Sequence, residues 1–202
     1  MSINEEGQSI YDIIFGATRY SATKHYQNFI NSKEPPAFLK QVLSSHFEDA
    51  DIIDFKIESI PDAKQALKVK MKIRSKEKID LESSILYLNT FVKKKIEQPF
   101  KSEKRVFPID FYYPKLFQYS FKLNIPEGYV IADLPEQMNL TFGDKSLLLS
   151  YFVKENGKEI DLLSKFKIKT TRINVSDYIA LQHMFNQYIA QQEALIVLKK
   201  EE

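Results

Sequence analysis

A mainly β protein of the α+β class is the expectation for this chain, an antiparallel β-sandwich with an N-terminal helix pair and one late C-terminal helix. Three observations predict it. Apolar and polar residues alternate strictly over Ile53–Ile57, Val69–Ile73 and Phe117–Ile125, the period of strands with one dry and one wet face. The apolar spacing is helical between Ser9 and Phe47 and again after Ser176. Turn residues, chiefly Pro61-Asp62, Gly143-Asp144 and Asn156-Gly157, punctuate the alternating runs.

The elements follow in order. Ala17, Tyr20, Lys24, Tyr26, Phe29 and Ile30 suit an amphipathic helix ending near Asn31-Ser32-Lys33. Pro35-Pro36 opens a second helix, since a first helical turn has no use for the missing amide proton; Phe38, Leu39, Val42, Leu43 and His46-Phe47 form its apolar face. Ile53, Phe55 and Ile57 then alternate with Asp54, Lys56 and Glu58, and Val69, Met71 and Ile73 alternate with lysines, which reads as a hairpin or neighbouring pair. Leu86–Val92 is apolar and favours a strand. Phe117, Tyr119, Phe121, Leu123 and Ile125 line one side of the next strand, and Met138, Leu140 and Phe142 line another. Leu147–Val153, apolar on both faces, is expected to be central. Asn156-Gly157 is expected to form a two-residue hairpin turn leading to Ile160–Ile168. Ser176 is the expected cap of a helix whose face carries Tyr178, Leu181, Phe185 and Tyr188. Ala194–Leu198 closes the fold as a strand. The organisation read from these patterns is a helical segment over 1–48, a first β portion over 49–104 and a sandwich portion over 105–202. The charged link Lys101-Ser102-Glu103-Lys104 is the expected boundary, with one sheet system or two subdomains left open.

Composition excludes several functions. The 29 basic and 27 acidic residues leave a net charge of +2, unlike the concentrated basic charge that displaces counterions from phosphates, so no nucleic-acid partner is expected. The basic run Lys93-Lys94-Lys95 reads as a solvated face or edge strand. With no cysteine, disulfides, thiolate nucleophiles and cysteine zinc sites fall away together. No apolar run approaches the ~18 residues of a membrane span. Met1–Gln8 is polar and acidic and lacks the features of a secretion signal; an exported protein would carry its signal upstream.

The search for chemistry returns little. His25, His46 and His183 form no metal-binding spacing. No nucleophile elbow, P-loop or dinucleotide fingerprint occurs, and no catalytic residue, metal site or cofactor is expected. Asp49, Asp51 and Asp54 lack the glycine and distal glutamate of a calcium loop and read as an acidic lead-in to a strand. Asn139-Leu140-Thr141 and Asn174-Val175-Ser176 match the glycosylation triplet, a common chance occurrence. The aromatic group Phe107, Phe111, Tyr112, Tyr113 and Phe117 supplies the candidate recognition surface, with Tyr112 and Tyr113 as ligand-binding residues. Packing within a core or between domains is the competing use of such rings.

One set of short motifs resembles a known family. Arg105-x-x-Pro108, Ile125-Pro126-Glu127-Gly128-Tyr129, Leu134-Pro135 and the tail from Asp177-Tyr178 to Lys199-Lys200 look like the C-terminal region of exported transglutaminase-like proteins of the Bacteroidetes type, and Gly16-Ala17-x-Arg19 with the helical segment over 1–48 looks like the stretch that leaves their upstream core. The resemblance implies a β-domain following a papain-like core in the same polypeptide, exported to the periplasm or cell envelope, with an envelope protein or glycan as a possible further partner. It implies no catalytic residue here, because such a core works through a Cys activated by a His and this chain has no Cys. Arg105, Pro108, Pro126, Gly128 and Pro135 are then structural: Arg105 is expected to anchor through a carboxylate such as Asp110 or Glu127, the prolines to end strand pairing, and Gly128 to supply a turn. The expected function is a non-catalytic accessory or scaffolding domain. An independent glycan- or peptide-binding module is the alternative, and a hydrolase with paired carboxylates is a third reading.

Overall fold

The computed structural model describes residues 1–17, 27, 31–34, 37–38, 50–59, 67–91, 97–143 and 145–201. Over these residues the protein is mainly β, with antiparallel sheets and one C-terminal helix. It divides into two compact units, the first around Met1–Glu82 and the second holding Ser83–Phe91 together with residues from 97 onward.

The first unit contains β1 (Ser2–Ile3), β2 (Gln8–Ala17), β3 (Ala50–Ser59) and β4 (Leu67–Lys78), in the sheet order β1-β2-β4-β3. The alternation in β4 assigns its faces. Val69, Met71 and Ile73 are buried with Phe38, and Tyr11, Ile13, Ile52, Phe55 and Ile57 pack around them. The opposite face carries Lys68, Lys70, Lys72, Arg74 and Lys76, met by carboxylates from both neighbouring strands. The β1–β2 turn depends on Gly7, whose φ of +76° places its α-carbon where an added Cβ would run into the Ile79 carbonyl oxygen. That close approach lets the Ile79 amide donate to the Gly7 carbonyl at 2.8 Å, fastening the turn to the end of β4.

The second unit begins with β5 (Ile85–Asn89), β6 (Ile109–Asp110), β7 (Lys115–Asn124) and β8 (Tyr129–Asp133). It continues through β9 (Met138–Phe142), β10 (Leu147–Asn156), β11 (Glu159–Ile168), β12 (Arg172–Ile173), α1 (Tyr178–Glu193) and β13 (Leu195–Lys200). Three sheets result, ordered β7-β11-β10-β9, β5-β13-β8 and β12-β6. As its two-sided apolarity predicts, β10 is central, flanked by β9 and β11. Helix α1 buries Tyr178, Leu181, Met184, Phe185 and Tyr188, an i, i+3, i+4 stripe. These join Leu147, Leu149, Phe166 and Ile168 in one cluster. Phe166 stands at its centre, its ring 4.9 Å from Phe185 edge-to-face and 5.2 Å from Tyr188. Fully burying such a side chain contributes roughly 1.5–3 kcal/mol each. At its C-terminus the helix needs no loop, because Ala194 turns to ψ 138° and the chain enters β13 directly.

Several expectations are corrected. The helical pattern does not begin at Ser9: Gln8–Ala17 is strand β2, paired along its length with β4. Tertiary pairing overrides local spacing there. The helix pair itself lies largely outside the described residues; of its members Gln27, Asn31, Ala37 and Phe38 have helical backbone. Lys93-Lys94-Lys95 also lies outside them, as do Asp49 and the turn residues Pro61 and Asp62. The hairpin loop is Gly157-Lys158 instead of Asn156-Gly157, since Asn156 still pairs with Glu159 and the positive φ of +65° falls on Gly157 at the first loop position. Ser176 does not cap the helix: a 3-10 turn over Val175–Asp177 precedes it, the cap position is Asp177, and the Ser176 hydroxyl donates to the Asp177 carboxylate at 3.2 Å. The compact units divide after Glu82, and the charged link Lys101–Lys104 lies within the second. That link is fastened to α1, with the Ser102 carbonyl accepting from the Tyr178 hydroxyl at 2.7 Å and the Phe100 carbonyl from Gln182 Nε2 at 2.7 Å.

Candidate functional site

Phe107, Phe111, Tyr112, Tyr113 and Phe117 do not share one fate. Phe111 is buried and Phe117 half-buried, both in the core around α1. Phe107 is 75% exposed and Tyr112 86% exposed, while Tyr113 is 37% exposed. The sequence placed these five together; the fold divides them into two that build the base and three that face solvent.

The turn that presents Tyr112 has an unusual backbone. The Tyr113 amide donates to the Phe111 carbonyl at 2.7 Å, closing a three-residue turn with Tyr112 at its centre and at φ 60°. This is the rarer and strained kind of γ-turn, and a bulky residue seldom occupies that region. Two further bonds hold it: Asp110 Oδ1 accepts from the Tyr112 amide at 2.7 Å, and the Phe111 amide donates to the Thr171 carbonyl at 2.8 Å. Pro114, next in sequence, restricts Tyr113 to extended conformations. Such strain stands at about 1–3 kcal/mol and persists only where the surroundings impose it. Here a non-glycine residue is held in a costly conformation while its ring contributes little to the core.

Beneath the turn the framework is dry. Phe100 makes edge-to-face contacts with Phe111 at 6.3 Å and Tyr178 at 6.2 Å, so one buried ring ties the turn to the start of α1. The Lys115 ammonium sits 5.1 Å from the Phe111 ring centre and 5.7 Å from that of Tyr113. Across the two-residue pairing of β6 with β12, Ile109 faces Ile173 and both are buried, so the next pair, Asp110 and Arg172, faces outward on the other side. Neither the Arg172 guanidinium nor Asp110 Oδ2 has a partner among the described residues. Sequence reading missed that Asp110 and Arg172 stand opposite each other because they lie far apart in the chain. The local signal that was available is Asp110 two residues before Tyr112, an Asx-type turn opener.

The structural motif residues have definite places. Arg105 does not meet a carboxylate: its Nε donates to the Phe107 carbonyl at 3.1 Å and its guanidinium lies 5.9 Å over the Tyr178 ring. Pro108 leads into β6, and Pro126 follows the end of β7, its carbonyl accepting from the Tyr129 amide at 3.2 Å. Gly128, at φ +77°, presents its carbonyl to the Glu201 amide at 2.9 Å and so holds the end of the chain beside β8. Pro135 lies in the short link between β8 and β9.

A second constellation is internal. Tyr151 and Ser164 are directly paired across β10 and β11, and Ser164 pairs with Tyr119 of β7 on its other side. The Tyr119 hydroxyl donates to the Thr90 carbonyl at 2.6 Å. Thr90 Oγ1, the Tyr151 hydroxyl and Ser164 Oγ are buried without a hydrogen-bond partner among the described residues. Burial pushes the Tyr151 phenol pKa upward; Thr90 is near enough to oppose that shift, but the two hydroxyls do not reach hydrogen-bond geometry.

Other candidates resolve as structure. Asp51 faces Arg74 at 4.0 Å and Lys76 at 3.9 Å, and Asp54 Oδ1 accepts from the Phe55 amide at 2.8 Å. His183 is exposed on α1, and His25 and His46 lie outside the described residues. Among the described residues no group of acidic, histidine or cysteine side chains has the arrangement of a metal site, and no helix is long and apolar enough to cross a membrane.

Comparison with protein families gives a match over residues 83–198, more than half of the chain, to the Domain of Unknown Function with solved-structure structure (DUF3858). No curated protein and no solved structure gives a significant match.

Proposed function

From the premise that the chain belongs to the DUF3858 family, we propose that it is a non-catalytic accessory domain of an exported transglutaminase-like protein, scaffolding the core or helping to present its substrate. The observation that carries this reading is the employment of its motif residues. Arg105, Pro126 and Gly128 all lie within the matched segment, and their contacts fasten loops and the chain end. In this reading the nucleophile of such a protein lies elsewhere in the polypeptide, since this chain has no cysteine. The four-stranded sheet β7-β11-β10-β9 and the three-stranded sheet β5-β13-β8 are the two layers of the sandwich in this reading. The test is the coding sequence upstream of Met1, followed by an amide-transfer assay of the whole polypeptide with and without residues 83–202. A cysteine–histidine core whose turnover falls when this region is removed supports the proposal. A start at Met1 with no such core overturns it.

A second reading is supported by a specific observation. The exposed Tyr112, with its neighbour Tyr113, suits a recognition module for a glycan or peptide, within a larger protein or alone. Its test is whether Tyr112→Ala abolishes ligand capture while leaving thermal unfolding unchanged.

A further inference from the structure

We infer that the Tyr112 turn is a binding site for a carboxylate-bearing glycan; the inference rests on the recognition reading and names its ligand class. Three groups gather at this corner. Tyr112 offers a ring face to solvent, and an aromatic face supports the apolar C–H face of a pyranose. Arg172, outward and unpaired among the described residues, offers a planar fork of donors matched to a carboxylate. Asp110 uses Oδ1 to hold the Tyr112 amide, which leaves Oδ2 to accept from a sugar hydroxyl.

The site is built before any ligand arrives. The strained turn is fixed by three hydrogen bonds and rests on the buried Phe100, Phe111 and Tyr178 rings. A ligand therefore meets a ring carried on a fixed backbone, which lowers the entropy cost of association. Charge favours an acidic ligand, because Arg172 stands across the strand pairing from Asp110 and the Lys115 ammonium sits beside the Tyr113 ring. A peptide is less well served. Recognition of an extended peptide draws on a row of main-chain hydrogen bonds, and β6 and β12 hold only two residues each.

The experiment measures binding of the full chain to a panel of acidic oligosaccharides (uronic-acid, sialic-acid and muramic-acid types), with methyl-esterified counterparts and unrelated extended peptides. Calorimetry or NMR titration supplies the affinities for the wild-type protein, Tyr112→Ala and Arg172→Gln. The expected result is an acidic glycan that loses at least tenfold in affinity with either substitution. Esterification weakens it comparably for the wild type and changes nothing further for Arg172→Gln. Equal binding of acid and ester, with Tyr112→Ala still damaging, overturns the acidic class and leaves the recognition reading standing. Peptide binding that depends on Tyr112, with no glycan bound, overturns the glycan class. Absence of any ligand sensitive to Tyr112 overturns both. Unchanged thermal unfolding of both variants separates lost contacts from lost fold.

Discussion

The two units solve the same problem, a four-stranded antiparallel sheet, by different means. In the first, the face away from the core is charged, and strand β4 lies between strands that supply the opposing carboxylates. Glu58 accepts from Lys68 at 2.7 Å and from Lys70 at 2.6 Å, and those two hydrogen bonds hold its carboxyl at a pKa of about 2. In the second, the sheet β7-β11-β10-β9 turns an aromatic inner face toward α1, and the stabilising contacts are between rings. The difference shows where selection for stability leaves room. Charge pairs on an open face stabilise weakly and can be exchanged, whereas the interlocked rings around Phe166 cannot. The candidate site lies in neither sheet face, but on an irregular turn supported by the second core.

The comparison yields outcomes of decreasing size. Phe166→Ala removes the ring at the centre of the second core and is expected to cost about 3–5 kcal/mol. Native-state hydrogen exchange should show lost protection in β10 and β11 with β4 little changed. Equal loss in β4 would mean that the two units unfold as one.

Alkali should act on the second unit through Tyr188, whose burial pushes its pKa up to about 12. The folded state then keeps its proton where the unfolded chain, titrating near 10, has lost it. The stability is intact below about pH 10 and falls as pH rises toward 12, by on the order of 2–3 kcal/mol. Tyr188→Phe should flatten that decline in urea titrations made across the alkaline range, and an unchanged slope would assign it to other groups.

Tyr151→Phe should be neutral or stabilise by up to about 1 kcal/mol, because it deletes a buried hydroxyl that has no partner among the described residues. A loss above that in the denaturation midpoint would mean that the hydroxyl is satisfied in solution. The smallest effect belongs to the first unit. Glu58 has a depressed folded pKa, so its contribution is present above the unfolded value and fades as pH falls through about 5 to 2. Glu58→Gln should weaken the acid dependence of protection in β4 and leave β10 unaffected.

Much of the fold was legible because a strand pattern has a period of two and each face has one destination. The alternation in Val69–Ile73 and Phe117–Leu123, and the two-sided apolarity of Leu147–Val153, identified strands and their order of burial. The stripe Tyr178, Leu181, Phe185, Tyr188 did the same for α1. Gln8–Ala17 was not legible: Tyr11 and Ile13 also suit a helix over so short a span, and the choice was made by pairing with β4, distant in sequence. The site was half legible. Tyr112 and Tyr113 stood out as a run of rings before a proline, yet nothing local distinguished Phe111, which points inward, from Tyr112, which does not.

The sequence by itself determined the β class, the late helix and its apolar face, and the absence of cysteine chemistry, since each depends on composition or on contacts within a few residues. Tertiary structure alone decided that β5 joins the second unit by pairing with β13, that Arg172 stands opposite Asp110, and that Tyr112 is held at φ 60° with its ring in solvent. Those outcomes depend on partners tens of residues away, and the free energy that fixes them comes from the packing of the whole unit.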